Sequence, residues 1–169
     1  MTPITPRGVE IDLDAARPLD APGVARQLLH TTRTVTLATL DPSGHPYSTV
    51  TNLLVEADGT PVIYASHLAV HSRNMLADPR VSLTLADMAT DVLTTPRLTL
   101  VGRAVRVPAD QIKALKAAYS ARFAKSKLYL ALPDSILFRI MVEAVHLNGG
   151  PARNANGALT PADLFGPQP

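Results

Sequence analysis

The chain has 169 residues, 46% of them apolar, and a net charge of +2, which suits one soluble-type domain with its own core. It has no cysteine and no tryptophan, so disulfides, iron–sulfur clusters and thiol chemistry are excluded and the core must be aliphatic. Its basic residues are scattered and mostly arginine, which argues against a nucleic-acid partner, and no apolar run reaches the length of a membrane span.

Residues 1–20 are polar, with acids and prolines, and read as a flexible arm. They lack the charged start and apolar centre of a signal peptide, so a cytoplasmic protein is expected. A domain over residues 21–165 follows, then a tail, 166–169. Asp20-Ala-Pro-Gly opens a helix by the cap-then-proline rule, running through Leu29. Thr34–Leu40 is a β-branched strand, Asp41-Pro-Ser-Gly44 a turn, and Tyr47–Val55 a second strand. Asp58-Gly59 is a hairpin signal before a third strand, Val62–Ala65. A short helix containing His71-Ser-Arg-Asn74 leads to a fourth strand, Val81–Leu85. A loop from Asp87 to Pro96 precedes the fifth, Arg97–Val107, in which Gly102 signals a bulge or sharp bend.

An amphipathic helix is predicted from Ala109 to about Ala124, with Ile112, Leu115, Tyr119 and Phe123 on one face. The sixth strand is Leu137–Leu147, ended by Asn148-Gly-Gly-Pro151, and Thr160-Pro-Ala-Asp163 opens a last short helix. The fold class is therefore mainly β (α+β): a six-stranded antiparallel split β-barrel with peripheral helices. Closure into a barrel removes exposed edges.

The segment from Ser66 to Leu85 is the most telling. A helix start offers free N–H groups and a positive dipole end, and donor side chains on its first turns make a phosphate the natural guest. A surface helix with an ordinary polar face reads equally well. His67 and His71 stand four apart, as two metal ligands on a helix would, but Leu68 occupies the place of a zinc protease's glutamate and no third ligand is visible. No metal site is expected. His146 is expected on the same side of its strand as Phe138, Ile140 and Val142, in the core or a ligand wall. Thr49 and Thr51 share a face of the second strand, Ser66 ends the third and Arg97 begins the fifth; in a barrel these converge beside the His71–Asn74 helix, or form a solvent-facing row. No nucleophile elbow, Walker loop or dinucleotide fingerprint occurs, so a cofactor is expected to carry any chemistry.

Four stretches, in order, resemble the flavin-binding split barrel of the pyridoxamine 5′-phosphate oxidase superfamily, and most of all its haem-utilisation (HugZ-like) branch. They are Leu68-Ala-Val-His-Ser-Arg-Asn74, Leu93-Thr-Thr-Pro-Arg-Leu-Thr-Leu-Val-Gly102, Leu132-Pro-Asp-Ser-Ile-Leu-Phe-Arg139 and His146-Leu-Asn-Gly-Gly150. The resemblance implies a homodimer with two FMN sites between subunits and an FMN-dependent oxidoreductase acting on a small molecule. By the same resemblance Thr49, Val50 and Thr51 line the flavin ring. Ser66, His71, Ser72, Arg73 and Asn74 hold the phosphate, and Arg97 lies near the pyrimidine edge. The alternative it implies is a haem-binding or haem-utilisation protein, possibly without catalysis, with His146 or His67 on the iron. A binder of pyridoxal phosphate or deazaflavin is a third. Two departures stand out. His71 takes the place of a lysine, which makes its charge depend on pH. Pro151 stands where haem-degrading relatives resemble Gly-Gly-Phe, removing a ring and a backbone donor.

Overall fold

The computed structural model describes residues 19–87, 91–149 and 159–165. The expected arm and tail, and Pro151, lie outside them, apart from Leu19 and Asp20. Helix α1 spans Ala21–Thr31, and the Asp20 carboxylate accepts from the Gly23 N–H at 3.0 Å, satisfying one of the free donors of its first turn. Strands β1 (Thr34–Leu40), β2 (Pro46–Val55) and β3 (Pro61–Ser66) follow, then α2 (Val70–Ala77), β4 (Arg80–Ala86) and β5 (Arg97–Arg106). Next come α3 (Ala109–Arg122), a 3₁₀ turn (Ala124–Ser126) and α4 (Lys127–Leu130). Strand β6 (Ser135–Asn148) and α5 (Pro161–Leu164) complete the order. The 3₁₀ turn and α4 fall in a stretch to which the sequence reading assigns no element. At the β2–β3 turn, Gly59 takes φ 91°, a backbone region where a side chain is strained.

The six strands close into an antiparallel barrel in the order β1-β2-β3-β6-β5-β4. Val35, Leu37, Leu53, Ile63, Leu83, Leu85, Leu98, Leu100, Phe138 and Leu147 fill its interior. Ala25 and Leu29 of α1, Met75 of α2 and Leu164 of α5 bury themselves in the same cluster, so these three helices add to the interior core. Helices α3 and α4 instead roof part of the outer surface, where Leu115, Tyr119 and Leu130 pack on Leu54, Val62 and Leu137. Ile112 and Phe123 flank that contact, so the expected apolar face of α3 is the one that packs. No helix among the described residues is long and apolar enough to cross a membrane.

The bulge signalled by Gly102 is present. Val101 pairs with Ala144 and Gly102 with Val142, leaving Glu143 as the extra residue in β6. A Cβ on Gly102 would lie 2.1 Å from the Met141 carbonyl oxygen, so only glycine permits this approach. Side chains alternate with a period of two, and one extra residue therefore exchanges the inward and outward sets. Phe138 and Ile140 face inward before the bulge; Leu147 does so after it. His146 consequently points outward and is exposed, which corrects its expected place beside Phe138, Ile140 and Val142.

Candidate functional site

Helix α2 begins at one end of the barrel without a side-chain cap, since Ala69 precedes it, and its first-turn N–H groups are open to an anion. Its polar residues divide between two sides. Ser72 and Asn74 are buried, at 0% and 3% exposure, and Asn74 Nδ2 donates to Thr39 Oγ1 of β1 at 3.0 Å. Ser72 Oγ is buried with no hydrogen-bond partner. Arg73 is exposed and His71 half-buried. Burial pushes the His71 pKa below the ordinary 6.5, so its ring is neutral at pH 7 and the cation of this helix end is Arg73. His67 precedes the helix, so His67 and His71 are not an i, i+4 pair on it.

Ser66, at the end of β3, is already engaged: its hydroxyl lies 2.5 Å from the Asp134 carboxylate and accepts from the Leu68 N–H at 3.1 Å. On β2, Thr49 stands opposite Leu37 and Thr51 opposite Val35, both buried. Cross-strand partners share a face, so both threonines point to the barrel interior. Val50 points outward and is 71% exposed. Arg97 pairs with Ala86 at the far end of β4, whereas α2 enters β4 at Arg80, opposite Arg103. Six residues separate these ends, about 20 Å at the usual strand rise. Within one chain Arg97 therefore does not converge with the α2 group; its guanidinium donates to the Val92 carbonyl.

What the register does bring together is a face. Reading outward residues across β2, β1, β4, β5 and β6 gives Val50, Thr36, Thr84, Thr99 and His146 in one row. The next row is Ser48, Ala38, Ser82, Val101 and Ala144. Both rows are free of formal charge apart from the titratable His146, and both are built of small or β-branched residues. None of the described helices buries its apolar residues there. At the rim, Arg97 lies two positions from Thr99 on the same side and pairs with Asn148. Thr39 and Asp134 are partners that sequence reasoning missed, because neither lies near its mate in the chain. The bare face had a signal: every outward position of Thr36-x-Ala38 and Ser82-x-Thr84 is small and uncharged, where a solvated strand usually carries charge.

The model of the family described as pyridoxamine 5′-phosphate oxidase matches residues 22–149, all six strands included. The chain belongs to that family. Among its solved structures, an Agrobacterium tumefaciens protein of unknown function is 49% identical, with a TM-score of 0.83 over 97% of this chain and 64% of the other. A haem-binding protein from Mycobacterium smegmatis is 31% identical, with a TM-score of 0.77 over 89% of this chain and 61% of that one. A chloroplastic haem oxygenase, HOZ, from Arabidopsis thaliana is 34% identical over 109 residues, 64% of this chain and 33% of its own. The chain thus spans a third of the plant relative and under two thirds of the two bacterial ones. The resemblance to the haem-utilisation branch of the pyridoxamine 5′-phosphate oxidase family agrees with these relatives.

Proposed function

We propose that two copies of this chain pair through their bare faces and hold haem at the rim of that contact. His146 is the iron ligand and Arg97 the partner of a propionate. The carrying observation is the β6 bulge, which turns the His146 imidazole outward onto a small, uncharged face two positions from an arginine. Neutral imidazole is a common metal ligand, and arginine matches a carboxylate in two hydrogen bonds. A flat porphyrin needs a flat wall without charges to desolvate, and Thr99, Val101 and Ala144 offer one. Two haem proteins more than 30% identical to the chain support the same choice. Bound haem supplies iron for oxygen or electron chemistry; the chain's part is to ligate, orient and shield it.

FMN is the second reading, favoured by the uncapped start of α2 and the unpartnered Ser72 hydroxyl. A phosphate oxygen would satisfy that hydroxyl, and Arg73 would pair with its charge. Flavin would then supply hydride chemistry and the chain would be an oxidoreductase for a small molecule. Haem ranks first because Ser72 and Asn74 face inward and His71 is neutral, which leaves one cation at the phosphate end.

Titration of the purified chain with haem and with FMN, each followed by gel filtration, separates the two. The expected result is a retained haem with a sharp visible band that shifts in His146→Ala. Retained FMN that is lost in the Arg73→Ala, His71→Ala double variant would replace haem with flavin. An unchanged haem spectrum in His146→Ala would remove His146 as ligand.

A further inference from the structure

Away from the bare face, a cleft of about 530 Å³ opens between the outer side of β2 and β3 and the α3–α4 connection. Four of the chain's seven aromatic residues line it: Tyr64, Tyr119, Phe123 and Tyr129. Tyr119 is buried behind the wall, its ring centre 5.0 Å from that of Phe123 and 5.9 Å from that of Tyr64, both tilted, so it backs the two rings that face the cleft. Arg33, Arg122 and Lys125 supply the charged part of the lining, Asn52, Ala124 and Ser126 the rest, and no carboxylate is part of it. Asp134, whose charge is felt at Tyr64, is held by Ser66.

Two arginines side by side without an acid are costly unless something offsets them. Part of their hydrogen bonding is structural. Arg122 donates to the carbonyls of His30 and Thr32 at the end of α1, and Arg33 to that of Arg122 at the end of α3. Those bonds leave Arg122 Nε buried without a partner. The Arg33 guanidinium lies 4.9 Å from the centre of the Phe123 ring, which orients it over the cleft's aromatic wall. Burial and the Arg33 charge together hold Arg122 below the ordinary guanidinium pKa. An anion between them would relieve both.

We propose that this cleft binds a small planar aromatic molecule carrying an anionic group, with the ring on the tyrosine–phenylalanine wall and the charge between Arg33, Arg122 and Lys125. The volume falls in the range of small-molecule sites and suits one or two fused rings. The site shares no residue with the cofactor reading and does not rest on it.

The test is calorimetric titration of the full chain with 2-naphthoate, 2-naphthylmethanol and inorganic phosphate, with tyrosine ring signals in NMR reporting the place. Three of the four tyrosines line the cleft and Tyr47 does not, so the shifts locate the ligand. Naphthoate is expected to bind one per chain and at least about tenfold more tightly than the neutral alcohol, the step expected from one charge-assisted contact. Phosphate alone is expected to bind more weakly than naphthoate. The double variant Arg33→Gln, Lys125→Gln changes exposed residues only and spares the Arg122 bonds to α1. It is expected to fold as the parent does and to lose about tenfold in naphthoate affinity. His146→Ala is expected to keep naphthoate binding, so failure of the cofactor site and failure of this one read differently. Equal affinity for acid and alcohol, shifts confined to Tyr47, or undiminished binding in the folded double variant would overturn the proposal.

Discussion

The two outer faces of this barrel share strands β2 and β6 and solve the same problem in opposite ways. On one, Leu54, Val62 and Leu137 project outward and are roofed by Leu115, Tyr119 and Leu130 of α3 and α4. On the other, Thr36, Ala38, Ser82, Thr84 and Ala144 project outward with no roof among the described residues. Large apolar residues outside a barrel demand a partner within the chain, because each is worth roughly 1.5–3 kcal/mol when removed from water. Small uncharged residues make no such demand and leave a flat surface on which a second chain or a planar cofactor can lie with little desolvation cost. Strand β2 belongs to both, bare at Ser48 and Val50, covered at Leu54.

The comparison breaks most visibly at the roof. Leu137→Ala, at 2% exposure, is expected to lower unfolding stability by about 2–5 kcal/mol in urea denaturation; a loss comparable to a surface substitution would mean the roof is ornamental. On the bare face, Thr84→Arg is expected to change the stability of the dilute chain by less than about 0.5 kcal/mol yet abolish self-association in sedimentation, since the new charges would face each other across a two-fold contact. A parent chain already monomeric at high concentration would end the pairing idea. A smaller effect tests how the roof is tied down. Arg139 Nε donates to the Glu56 carboxylate at 2.6 Å and its Nη1 to Gln111 of α3, so it links the β2–β3 turn to the roof. Glu56→Gln is expected to cost on the order of 1 kcal/mol in the same denaturation assay.

The smallest effect concerns α2. The His71 pKa is depressed by burial, so the unfolded chain takes up its proton more readily than the folded one. The stability its neutral ring contributes is whole above the unfolded value near 6.5 and is lost as pH falls below it. Urea midpoints at pH 7.5 and 5.5 should therefore drop less in His71→Leu than in the parent; an equal drop would mean the ring is not desolvated.

Most of this architecture is legible in the residues. Strand β1 follows from the alternation of Val35, Leu37 and Thr39 between outward Thr36 and Ala38, and α1 from Asp20 and Pro22. The 3₁₀ turn and α4 are not legible, because segments this short carry too few turns for a period to show. The orientation of α2 is hidden for another reason. Ser72 and Asn74 look like surface residues, and only the third dimension supplies Thr39 as the buried partner of Asn74. For His146, the Gly102 signal is visible, but its consequence falls on the neighbouring strand, where the extra Glu143 carries no mark of its own.

That bulge also makes β6 unequally tolerant of two kinds of sequence change. Substitutions between Met141 and Leu147 act one position at a time. Loss of Glu143, the extra residue, would leave Val142 and Ala144 opposite Gly102 and Val101 in a regular register with His146 still outward, whereas one residue added between Ala144 and His146 would turn the imidazole inward and Leu147 toward solvent. The two-residue spacing from Ala144 to His146, more than the length of the strand before it, keeps the imidazole on the outside.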